Sequence, residues 1–368
     1  MHSPQGWESL PNTYRRWVHE MGLPSIPPEP LATCGSCAMV PLKRASALHT
    51  GSTFFNERTK CCTFLPSIPN YLVGDALVRA NTKGEASAPL LARIQDDATA
   101  TPLGVRMSTR YRLLYDAASA FGQSEELLCP HYLAEGGLCG IWESRNSVCA
   151  TWYCKHALGA DGQRYWQQLR DLLGEVEVSL SVALALAVAG ESCDPDPEES
   201  SSAHAELVPD AARRKAQQRW GSWYSRRNEF FEACAARADA MNWSDVERIS
   251  GAKVTYRRQK LQRLLSSQNQ VVEDLTLEVG EYTVVGVLER SILLRTYSPY
   301  DPLAVSPELL QALSAFDGYR PVWRVAAELL AEHGLEIDLA TVERLRRHAV
   351  LVSPADRGQA SSPNAVRP

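Results

Sequence analysis

The sequence has no basic excess: 38 Lys and Arg face 43 Asp and Glu, a formal net charge of −5 at pH 7. Nucleic-acid binders ordinarily carry a basic face, so that class of partner is not expected. There is no basic segment followed by an apolar one at the start, MHSPQGWESLPNTYRRWVHEMG, and hence no secretory signal to read. The expected location is the cytoplasm, where a reducing environment leaves thiols unpaired. The most apolar stretch, 176–190, carries Glu177 and two serines and falls short of the about 20 residues of a bilayer span. It reads as a buried helix, and no membrane partner is expected. No G-x-G-x-x-G follows a strand pattern, so a Rossmann-type cofactor site finds no support.

What the chain does have is cysteine. Four residues lie early, Cys34, Cys37, Cys61 and Cys62. Four more follow in CPHYLAEGGLCGIWESRNSVCATWYCKH, as Cys129, Cys139, Cys149 and Cys154, at gaps of nine, nine and four residues. Only Cys193, beside an acidic linker, and Cys234, in an apolar stretch, stand outside. Thiols at this density form disulfides, bind metal or do redox chemistry, and the expected compartment argues against a disulfide framework. Gly35 between Cys34 and Cys37 permits the tight turn that brings two sulfurs onto one ion. Eight thiolates suffice for two four-ligand centres, either all-cysteine zinc or [4Fe–4S]. Zinc sites often pair two CxxC knuckles and only one occurs here, which leans toward iron.

The adjacent Cys61 and Cys62 point opposite ways if extended, so they serve one centre only where the backbone turns, or serve different centres. A vicinal disulfide in a redox relay is a further use. Arg58 and Lys60 beside them either favour thiolate or are plain surface charges. Gly136-Gly137 allows a turn between Cys129 and Cys139, and Trp142, Trp152 and Tyr153 offer apolar cover to a metal. His131 and His156 lie near ligand candidates, but eight thiols leave neither needed. Arg145 is a donor to sulfur, an anion contact or a surface ion-pair residue.

At 368 residues with 45% hydrophobic and 22% charged residues, the chain reads as a soluble α+β protein of more than one domain. Residues 1–33 form a lead-in, with a helix over 13–21 and then prolines. Residues 34–160 are the cysteine-cluster domain, with apolar helical periods over 70–78 and 107–121 (Leu113, Leu114, Ala117, Ala118, Phe121) and an irregular segment over 81–104. Residues 161–268 are helical, starting with a long helix striped by Tyr165, Leu169, Leu172, Leu173 and Val176, and broken by an acidic linker near 191–205. Aromatics between basic pairs there, Trp220, Trp223, Phe230 and Phe231, could stack bases, but acidic residues punctuate the same span and helix faces with Arg are usually just solvated. Residues 271–353 open with a hairpin over 282–297, followed by helices capped by Ser306-Pro307, started at Pro321 and started at Asp338, and a closing strand at Leu351-Val352. Residues 354–368 read as a disordered tail.

The order CxxC, CC and C-x9-C-x9-C-x4-C resembles the YkgJ-like cysteine-cluster proteins, zinc- or iron-chelating domains. The match runs through Cys129, Tyr132-Leu133, Gly136-Gly137, Cys139-Gly140-Ile141-Trp142-Glu143-Ser144-Arg145 and Cys149 before Trp152-Tyr153-Cys154, and covers residues 30–160. It departs at Asn146, where the family has Pro, at Ala150, where it has Arg, and in the long spacer after Cys37. The family includes a flagellin lysine methylase linked to an iron–sulfur centre, so the resemblance implies an iron–sulfur cluster or Zn2+ on the eight cysteines, with modification of a protein or peptide, such as methyl transfer, as the enzymatic reading. Residues 271–353, with Leu-x-x-Phe-Asp-Gly, resemble PqqD-like winged-helix modules, which implies a peptide or protein partner added beside the hairpin. A packing or dimerisation module is the other reading of this segment.

Overall fold

The structure, a computed structural model, describes residues 6–23, 28–29, 34–35, 37–40, 55–83, 88–117, 121–190, 208–266 and 272–356. The prolines at 24, 27 and 30, the linker near 191–205 with Cys193, and the tail from 357 lie outside the described residues.

The larger core is helical. Helix α1 (Asn12–Glu20) buries Tyr14, Trp17 and Val18, the i, i+3, i+4 face of one stripe. Strands β1 (Ile68–Pro69), β2 (Ala100–Thr101) and β3 (Gly104–Val105) form a small antiparallel sheet in the order β1-β3-β2. Around it run α2 (Asn70–Lys83), α3 (Ala88–Gln95) and α4 (Thr109–Ala117). The hairpin β4 (Tyr132–Leu133) and β5 (Leu138–Cys139) and the short α5 (Ser147–Thr151) lead into α6 (Gly159–Ala189). Then come α7 (Pro209–Trp220), α8 (Arg227–Asp239), α9 (Trp243–Ser250) and α10 (Ala252–Ser266).

Helix α6 is the axis of this core. It packs against α2, α5, α8, α9 and α10, and its stripe of Tyr165, Leu169, Leu172, Leu173 and Val176 is buried. It is long and apolar enough to cross a membrane by composition, with 44% of its most apolar window buried inside the fold. Trp220, Phe230 and Phe231 pack edge to face in the core, where they cannot stack on bases. Arg227 is buried beside them, bonded to Asp97 and to the Ile94 carbonyl.

The C-terminal part is mixed helix and sheet, completing an α+β chain. Strands β6 (Thr276–Val279), β7 (Thr283–Leu288), β8 (Ser291–Arg295) and β9 (Leu303–Val305) precede α11 (Pro307–Ala312), β10 (Asp317–Pro321), α12 (Val322–His333), α13 (Leu339–Arg347) and β11 (Leu351–Val352). They form two antiparallel sheets, β10-β6-β11 and β7-β8-β9. Local signals place the helices: Ser306 and Asp338 cap α11 and α13 with side-chain oxygens, and Gly334 closes α12 in the left-handed region. Leu277, Leu294, Val305, Phe316, Val325 and Leu345 are among the residues of its own buried core.

Three expectations need correction. The stretch 81–104 is not irregular, since Leu90 and Ile94, one turn apart, bury the face of α3, and β2 and β3 follow. In α4, Leu113 and Leu114 face outward and Tyr115 is the buried residue. The tail does not lose order at 354, because Pro354–Asp356 forms a helical turn.

Candidate metal centre

All eight candidate ligands lie in described residues, Cys129 buried and the others partly so, and none is in a disulfide. Turns and short hydrogen bonds bring their segments together. Residues 57–63 form consecutive turns, with Lys60 in the left-handed region and the Cys62 amide donating to Thr59. The Cys129 amide donates to the Cys62 carbonyl at 2.7 Å, and the Gly140 amide to the His131 carbonyl at 2.8 Å. The two glycines at 136 and 137 both take positive φ, 75° and 62°, and turn β4 into β5, which pairs Tyr132 with Cys139. Asn146 accepts from the Cys149 amide at 3.0 Å and caps the helix that carries Cys149.

The early and late cysteines thus share one neighbourhood. The charge of Cys61 bears on Cys34, Cys37, Cys129, Cys139, Cys149 and Cys154. Among the described residues, however, no three His, Cys, Asp or Glu side chains are drawn together as a set able to hold an ion. The donor chemistry suits a thiophilic metal. Convergence would have to come from rotation of the cysteine side chains, each of which has three staggered positions.

Burial pushes most of these thiols up: Cys129 to about 11, and Cys149 and Cys154 well above their ordinary value. Cys61 goes the other way because the Cys62 thiol hydrogen-bonds to it, which correspondingly raises Cys62. Three cations stand among the sulfurs. Lys60 turns inward and donates to the Cys34 and Gly137 carbonyls, whereas Arg58 points out to Glu125 at 3.5 Å. Of the two basic neighbours, only Lys60 belongs to the site. Arg145 is buried flat on the Trp142 ring, its carbon 3.4 Å from the centroid, and donates to the carbonyls of Trp142, Cys149 and Ser9. That removes it from the surface ion-pair reading. Its charge favours thiolate at Cys34, Cys61, Cys139 and Cys149.

Arg93, on α3, is the third cation, and was hidden within the stretch read as irregular. Its guanidinium donates to the Pro66 and Arg106 carbonyls and lies 3.1 Å from His131 Nε2. Burial and that cation lower His131 to about 3, so the ring is neutral, with Nε2 the acceptor and the proton on Nδ1. His156 is lowered to about 4 by burial and packs against Tyr153 and Tyr297. Tyr111 was also missed: its hydroxyl, within hydrogen-bonding distance of the Thr63 and Leu127 carbonyls (2.7 and 2.6 Å), ties the Cys62 and Cys129 segments.

The loop between β8 and β9 closes over this region. Tyr300 packs edge-on against Phe55, Phe121 and Trp152, Asp301 pairs with Lys155 at 3.0 Å, and Ser298 donates to the Cys154 carbonyl. Trp152 thus joins Phe55, Phe121 and Tyr300 in one aromatic group. Tyr153 instead packs on Trp166. No family profile, curated protein or solved structure matches the chain.

Proposed function

We propose that this chain is a cytoplasmic metal protein whose eight clustered cysteine thiolates, Cys34, Cys37, Cys61, Cys62, Cys129, Cys139, Cys149 and Cys154, hold iron–sulfur clusters or zinc. One observation carries the reading: thiols from six separate segments of the chain share a neighbourhood with the inward-facing cations Lys60, Arg93 and Arg145. Neutral thiols need no such compensation, whereas thiolate–metal centres are anionic and gain from buried positive charge. Lys60, Arg93 and Arg145 hold their positions through backbone carbonyls, leaving their charge for the sulfurs.

Residues 271–353 are read as a winged-helix-like module. The helices α11 to α13 packed on the sheets support that reading, as does an outer strand β7 that exposes Val284, Val285 and Val287 to a peptide or protein partner. With the resemblance to cysteine-cluster proteins, this supports iron–sulfur-dependent modification of a protein or peptide. When bound, such a cluster supplies electron transfer or Lewis acidity.

A second reading has its own observation. Beneath the thiols the apolar core is small, with Met39, Phe55, Tyr115, Phe121 and Leu127 as its buried members. A zinc staple would supply the cohesion such a core lacks. Anaerobic purification with metal analysis and a visible spectrum decides between them. Absorbing iron and sulfide support the first reading in its iron–sulfur form, colourless protein with stoichiometric zinc overturns that form and supports the zinc staple, and protein that neither carries nor takes up either metal overturns both.

A further inference from the structure

The C-terminal part of the chain touches the cysteine region at two places, and both fall on the short stretch that begins at Cys154. At one, the loop between β8 and β9 reaches the end of the cysteine run. Asp301 pairs with Lys155 at 3.0 Å, with both side chains mostly out of solvent. The hydroxyl of the buried Ser298 lies 3.5 Å from the Cys154 carbonyl oxygen. At the other, Arg346 of α13 pairs with Asp161 of α6 at 3.0 Å. The Arg347 carbonyl also comes so near Gly159 that a Cβ there would lie 2.0 Å away. Residues 154–161 are thus held between two segments of the C-terminal part.

The loop is shaped to keep this position. Asp301 uses one carboxylate oxygen for Lys155 and accepts from the Tyr297 hydroxyl with the other. The Tyr297 ring makes edge contacts with the His156 and His348 rings, at 5.9 and 5.8 Å between centroids. The Tyr300 amide donates to the Ser298 hydroxyl at 3.2 Å, a side-chain turn that fixes the loop tip. Its ring then meets Phe55, Phe121 and Trp152. The small core beneath those rings is the one on which Cys37, Cys61 and Cys154 pack. Cys139 packs instead on the main helical core, in which Cys234 is fully buried.

We infer that the β8–β9 loop is a removable wall of the cysteine site, latched by Asp301 on Lys155, and that Cys37, Cys61 and Cys154 become accessible when it lifts. From this loop the small core receives one ring, that of Tyr300. Lifting the wall therefore costs less than unfolding either part of the chain, which is the condition for local opening. The inference concerns access to the thiols and stands or falls apart from metal binding.

N-ethylmaleimide labelling of reduced, metal-free, full-length protein, mapped by mass spectrometry, tests the latch. Asp301→Asn keeps an acceptor for Tyr297 and removes the ion pair. It is expected to raise the labelling rate of Cys37, Cys61 and Cys154 about tenfold, with Cys139 and Cys234 unchanged. The exchanged pair Lys155→Asp/Asp301→Lys is expected to return the rates toward wild type. Tyr300→Ala, which removes the ring and leaves the ion pair, should raise the same three sites. Unchanged labelling of those three in either Asp301→Asn or Tyr300→Ala overturns the inference. A rise that spreads equally to Cys139 and Cys234 overturns it too, since that marks a general loosening. Should one of the two single variants fail to fold by circular dichroism, the other decides by the same pattern.

Discussion

Glu177 sits inside the long helix α6, facing the N-terminus of the helix that bears Cys149. It accepts from the Tyr14 hydroxyl, the Ser147 amide and the Ser147 hydroxyl. These bonds favour the charged carboxylate, but desolvation outweighs them and raises the group from 4.5 to about 7. A carboxyl raised on folding binds more protons in the native than in the unfolded chain. Its contribution to stability is therefore complete below pH about 4.5 and lost as pH climbs to about 7. At about 1.4 kcal/mol per unit, a rise of that size amounts to about 3 kcal/mol, an upper bound because the side chain keeps some contact with solvent. The raw pH profile will not display this directly. His131 and His156, lowered on folding to about 3 and about 4, act with opposite sign and make the protein less stable as pH falls below about 6.5. Glu177→Gln isolates the carboxyl. Urea unfolding of metal-free protein, followed by tryptophan fluorescence from pH 4.5 to 7, should show wild type losing stability relative to the Gln variant by up to about 3 kcal/mol. A difference that stays flat, or that grows in favour of wild type with rising pH, would refute the argument that burial governs this group.

Replacing Asn146 by Ala removes the cap of α5 and should cost about 1 kcal/mol in urea unfolding, with Asn146→Asp restoring most of it. Gly159→Ala should lower the thermal midpoint sharply: φ there is +57°, and an added Cβ would lie 2.0 Å from the Arg347 carbonyl oxygen, so the contact between α6 and α13 has to open. Arg227→Met leaves the partly exposed Asp97 carboxylate without its ion pair, though still bonded to the Tyr224 hydroxyl, and should destabilise by about 2–4 kcal/mol in chemical unfolding, whereas Arg226→Met, at an exposed pair with Glu229, should leave the unfolding midpoint unchanged.

The elements legible in the sequence were those with a local cause. The stripe of α6 repeats at helical spacing, Ser306-Pro307 and Asp338 carry caps, and Gly136-Gly137 marks a turn. What escaped has a distant cause. Helix α3 is eight residues long and owes its place to Leu90 and Ile94 meeting the main core. Leu113 and Leu114 resemble a core stripe in isolation, yet the neighbour that would cover them is absent from that side of α4 among the described residues, and Tyr115 finds the aromatic cluster instead. The cations divided in the same way. Lys60 could be suspected from its position beside Cys61, but Arg93 is 32 residues away from Cys61 in sequence and enters only because α3 forms.

Two positions of the late cysteine run have structural reasons of their own. Asn146 holds the extended backbone at a helix start and accepts from the Cys149 amide with its side chain. Ala150 is almost fully buried in the main core, where a larger charged side chain would have to be desolvated among apolar neighbours. Positive charge reaches the thiols from three directions, from Lys60 in the turn before Cys61, from Arg93 on α3 and from Arg145 on the Trp142 ring. Each of the three is anchored to backbone carbonyls and, among the described residues, is not paired with a carboxylate in the contacts that fix it. Cations held in that way keep their charge directed at the sulfurs, and this is the arrangement expected where the group to be balanced is a thiolate centre.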